Sequence, residues 1–60
     1  MTKDNAISHY NRLQGAFQIL SELTKLSDTP AMYKEDLTIA LGRIAAAQGK
    51  LPWSPETGLK

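Results

Sequence analysis

The stretch "LSDTPAMYKEDL", Leu26 to Leu37, divides the chain in two. Apolar residues recur at helical spacing on either side of it, and the stop and start signals lie within it. Asp28 and Thr29 carry short polar side chains that can accept a hydrogen bond from a free amide at a helix start. Pro30 suits the first helical position, where its missing N–H costs nothing. This reading leaves a connection of about three residues, short enough to fold two helices back as an antiparallel hairpin.

Upstream, the spacing predicts a helix over residues 5–26, with Asp4 as its N-cap. Ala6, Tyr10, Leu13, Phe17, Leu20 and Thr24 recur at alternating steps of four and three and form one apolar seam. Ala16, Ile19, Leu23 and Leu26 form a second seam beside it. Together they cover more of the circumference than the ~100° of an ordinary surface helix. The remaining face carries Asn11, Gln14, Gln18, Ser21, Glu22 and Lys25, and is rich in amides.

Downstream, a helix is expected over residues 30–48, closed by Gly49 in a left-handed conformation. At 1.5 Å per residue the two helices would measure about 33 and 28 Å, a workable match. Tyr33, Leu37, Ala40, Leu41, Ile44 and Ala47 gather on one side of the second helix, the side expected to meet the first. Met32, Ile39 and Ala46, seven residues apart, fall nearly opposite. Gly42 lies beside them, and Glu35 and Arg43 flank them. A helical glycine costs about 1 kcal/mol relative to alanine, and close packing by another backbone is the usual compensation.

Residues 49–60 cannot extend this helix, because Pro52 and Pro55 break it and bias their predecessors toward extended geometry. They are expected to form an extended C-terminal tail that lays Trp53 against the hairpin. Ser54–Gly58 resembles a sortase sorting signal, but no apolar segment follows it, and the match is read as chance. The fold class expected is all-α: a single helical-hairpin domain over 1–60 that dimerises into a four-helix bundle.

Size supports that expectation. Sixty residues bury a modest core, and such chains generally need a disulfide, a metal or self-association. The sequence has no cysteine and one histidine, His9, so disulfides and metal clusters are poor candidates. Self-association remains, with Ile19, Leu23, Ile39, Gly42 and Ala46 as the expected dimer interface.

Catalysis finds no foothold. His9 has no nucleophile–acid set along its helix, the carboxylates are dispersed, and there is no glycine-rich phosphate loop. A non-enzymatic protein without cofactor or metal is expected. The net charge of +1 is spread over separated basic residues, which argues against nucleic acid and anionic membranes. No apolar run approaches the ~20 residues of a membrane span, and "MTKDNAISHY" has no signal-peptide core, so a cytoplasmic protein is expected.

The function expected is a small protein–protein interaction module, an adaptor or inhibitor of phage or plasmid type, acting as a homodimer. Its partner contacts would come from Trp53, with Pro52 and Pro55 as rigid spacers, and from Met32 and Ile39, since tryptophan is often a binding hot spot. The alternative comes from shape. A sixty-residue antiparallel hairpin beginning Met-Thr-Lys resembles the Rop family of plasmid RNA-binding modulators. That resemblance implies a four-helix bundle gripping paired RNA loops through its first helices, where Lys3, Gln18 and Lys25 lie. The RNA-binding residues would then be Asn11, Gln14, Gln18 and Lys25.

Overall fold

The computed structural model describes residues 1–60. Helix α1 spans Lys3–Thr24 and helix α2 spans Ala31–Gly49, and they pack along each other as a hairpin. Two short strands follow, β1 at Trp53–Ser54 and β2 at Gly58–Leu59.

Helix α1 begins two residues earlier than expected because Thr2, not Asp4, supplies the cap. The Thr2 hydroxyl accepts from the Asn5 amide at 3.2 Å. Asp4 sits inside the first turn, where its carboxylate complements the positive end of the helix dipole. The helix stops at Thr24, short of Leu26, which lies exposed in the connection.

The connection is residues 25–30, twice the expected length. Within it the Thr29 amide donates to the Leu26 carbonyl at 3.3 Å. Thr29 therefore serves the first helix and not the second: its hydroxyl donates to the Leu23 carbonyl at 3.2 Å, satisfying a free acceptor at the end of α1. Pro30 is the residue just outside α2, and its carbonyl accepts the first helical bond from Lys34 at 2.9 Å.

Helix α2 includes Gly49 rather than ending before it. Lys50 closes it in right-handed geometry, its amide donating to the Ala47 carbonyl at 3.1 Å. The one residue with positive φ is Gly58, at 69°.

The tail is not a simple extended segment. It turns back on itself as a β-hairpin pairing Trp53 with Leu59 and Ser54 with Gly58. The Lys60 amide extends the pairing to the Pro52 carbonyl at 2.8 Å. The three-residue loop Pro55–Thr57 is closed by Ser54, whose Oγ accepts from the Thr57 amide at 3.2 Å. A proline after the first turn residue and a glycine in left-handed geometry at the loop's end are what such a hairpin requires. The pentapeptide that resembled a sorting signal is this turn.

The core is thin. Ala6 and Leu37 are its buried apolar residues, and Gln48 is buried with them. Leu13, Phe17, Leu20, Leu41 and Ile44 line the seam half-buried. Two residues placed inward by their spacing, Tyr33 and Ala47, are exposed. Ala47 lies at the edge of the inward sector of α2, whereas Tyr33 lies within that sector but in the first turn of the helix, beside the connection. The molecule is elongated, 41 × 17 × 14 Å, with a radius of gyration of 13.5 Å. A compact chain of this length would have about 10 Å.

Candidate interaction surface

The outer side of α2 holds a line of side chains that nothing in the chain covers. Met32 is 82% exposed and Ile39 56%. Gly42 and Ala46, on the same side, are also exposed. The backbone at Gly42 is open: a Cβ built there meets no atom within 4 Å. Asp36 and Arg43 border the line on one flank and Glu35 on the other, all exposed.

The β-hairpin does not shield this line. Strand β1 packs against α1. The Tyr10 and Trp53 rings meet edge to face, centroids 5.7 Å apart with 85° between the planes. Trp53 and Pro52 are half-buried there, and Pro55 is exposed at the hairpin tip. The proposed partner contacts thus fall into two separate places, Met32 and Ile39 on one side and the proline–tryptophan hairpin on another.

The expected dimer interface divides similarly. Ile39, Gly42 and Ala46 share the outer side of α2. Ile19, 61% exposed, and Leu23, half-buried, lie on α1.

The polar face of α1 forms a shallow cleft of about 250 Å³ lined by Gln14, Phe17, Gln18, Ser21, Glu22 and Lys25. Three of the four residues in the RNA-binding alternative, Gln14, Gln18 and Lys25, come together here, and Asn11 lies outside the lining. The Glu22 carboxylate shares the cleft, and Gln14 is already engaged, its Oε1 accepting from Gln48 at 3.1 Å. A phosphate surface wants clustered cations and no acid among them.

A larger cleft of about 350 Å³ lies where the β-hairpin meets the end of α2, with Tyr10, Gln48, Ser54, Glu56 and Thr57 in its lining. Spacing assigned no role to Gln48. Its Nε2 donates to the Tyr10 carbonyl at 3.2 Å and to Gln14, tying the last turn of α2 to the first half of α1. The signal was present: Gln48 lies four residues after Ile44 and eleven after Leu37, on the core face. Beside it, the Lys60 ammonium donates to the Gly49 carbonyl at 2.7 Å, placing a cation at the negative end of α2.

His9 is exposed on α1, and no three potential metal-ligating side chains gather anywhere in the chain. No helix is long and apolar enough to cross a membrane. Comparison with protein-family models, curated proteins and solved structures finds no match. The resemblance to the Rop family therefore rests on architecture alone.

Proposed function

We propose that the chain is a non-enzymatic interaction module that acts as a homodimer and engages a protein partner by surface complementarity. The observation that carries this reading is the outer side of α2, where Met32 and Ile39 stand in solvent although the chain buries only two apolar residues. Apolar area left in water is stabilisation forgone, at roughly 25 cal/mol per Å². The tail is held on α1 and leaves that side bare, which supports cover by a second chain.

The surface area supports the same reading. The chain exposes 4522 Å². A compact 6.6 kDa protein would expose about 3900 Å². The excess, about 600 Å², is roughly three-quarters of the ~800 Å² that each partner contributes to a standard interface.

Sedimentation of the double variant Met32→Glu/Ile39→Glu beside the unaltered chain tests the proposal. Both positions are exposed, so helical circular dichroism should be retained while self-association is lost. A variant that associates as strongly as the parent would remove α2 from the account. Pull-downs from the native host with the same pair of proteins then report whether partner capture needs this surface. RNA retained by both proteins alike would favour the alternative reading instead.

A further inference from the structure

We infer that two copies of this chain pair through the outer sides of α2 in antiparallel orientation, with Ile39 on the two-fold axis and Asp36 facing the partner's Arg43. The inference rests on the self-association proposed above and adds its surface, direction and register.

An isologous interface must be complementary to itself. When two helices pair antiparallel about a two-fold axis, each flank of the contact meets the same flank of the partner. Positions equally far from the axis, in opposite directions along the chain, come opposite each other. With the axis at Ile39, that residue meets its own copy. Met32 then lies over the partner's Ala46, and the partner's Met32 over Ala46. The longest side chain of the stripe is thereby set against a small one, twice.

The charges follow the same order. Asp36 and Arg43 are seven residues apart and so lie on one flank. The position opposite Asp36 is 42, so the partner's Arg43 is displaced from it by one residue, about 1.5 Å along the axis. An arginine spans that offset easily. Glu35, on the other flank, is level with the partner's position 43, whose side chain lies on the opposite flank. The nearest residue on its own flank is the partner's Gly42, where no like charge stands. A parallel pairing does the reverse. It joins opposite flanks at equal height and sets Glu35 beside the partner's Asp36, a repulsive contact. The charge order of α2 thus fits a second copy in one direction only.

This geometry departs from a square four-helix bundle, in which each helix buries two neighbouring stripes a quarter turn apart. On α2 the inner stripe, with Leu37 and Gln48, and the outer stripe, with Met32 and Ile39, lie roughly half a turn apart. The two α2 helices form the middle of the assembly, and each α1 lies outside.

Charge reversal and cysteine cross-linking test the register. Asp36→Arg and Arg43→Asp each place like charges opposite and should weaken dimerisation about tenfold or more, and the double variant Asp36→Arg/Arg43→Asp should recover it. In a chain without native cysteine, Ile39→Cys should oxidise to a covalent dimer and Ile19→Cys should not. The cysteine pair decides the matter should a charge variant lose its helical signal. Dimerisation of the parent with no effect of charge reversal, and cross-linking through Ile19 instead, would overturn this register while leaving self-association standing. A parent chain that never dimerises would overturn both.

Discussion

The Trp53 indole and the Tyr10 ring stand nearly perpendicular, 5.7 Å between centroids, and form the contact that holds the β-hairpin to α1. Edge-to-face pairs of this kind are worth about 0.5–1.5 kcal/mol beyond the area they bury. The pair also fixes where the hairpin goes. With Trp53 seated on α1, the hairpin is committed to one side of the molecule, and the outer side of α2 stays bare.

Trp53→Ala should therefore loosen the hairpin without melting the helices outright. Fully buried tryptophans cost about 3–5 kcal/mol on truncation, and a half-buried one in a thin core about 2 kcal/mol. Thermal unfolding by circular dichroism should show the midpoint falling by roughly 8–16 °C. An unchanged midpoint would mean that the Tyr10 contact contributes nothing.

Gln48→Ala removes the donor shared by the Tyr10 carbonyl and Gln14 and leaves the Gln14 amide oxygen short of a partner. The expected cost is about 1–3 kcal/mol in urea unfolding. Replacing both members, Gln14→Leu/Gln48→Leu, should recover much of that loss, because two apolar groups of similar shape leave no side-chain polar atom stranded, although the Tyr10 carbonyl still loses the Gln48 bond. A double variant weaker than Gln48→Ala would contradict this account of the cross-link.

Gly58→Ala tests the turn. A Cβ at this position meets no atom within 4 Å, so the cost is that of left-handed backbone at φ 69°, about 1–2 kcal/mol. Hydrogen exchange should speed up at the Lys60 amide, which donates to Pro52, and stay slow in the helices. Equal protection in parent and variant would count against the turn geometry.

Gly15 and Gly42 both sit inside helices with open space around the missing Cβ. Within one chain, Gly15→Ala and Gly42→Ala should each stabilise by about 1 kcal/mol through helix propensity. Self-association through α2 separates them. Gly15→Ala should keep its gain at all concentrations. Gly42→Ala should lose it as concentration rises, because a methyl group intrudes on the partner. Identical concentration profiles for the two variants would remove Gly42 from any interface.

Much of the hairpin was legible because helical periodicity depends on local spacing. Leu37 falls in the core, and Met32, Ile39 and Ala46 fall outside it, where their seven-residue spacing puts them. The end signals were less legible because several residues compete for each role. Thr2 and Asp4 are both good caps, and the choice between them rests on backbone geometry. Thr29 turned out to serve the helix behind it. Gln48 was missed because a polar residue on a core face reads as an interruption until its partners, 38 and 34 positions away, are known. The β-hairpin was missed although Ser-Pro-Glu-Thr-Gly between two apolar residues carries the turn's own chemistry. Pro52 and Pro55 end a helix and also shape a hairpin, and local spacing makes only the first effect plain.

Sedimentation equilibrium of the unaltered chain from low micromolar to millimolar concentration tests the central claim most directly. The account predicts a mass rising from the 6.6 kDa of one chain to twice that value and stopping there, as a closed two-fold pair requires. A mass that stays at one chain throughout, with the helices folded, would contradict it.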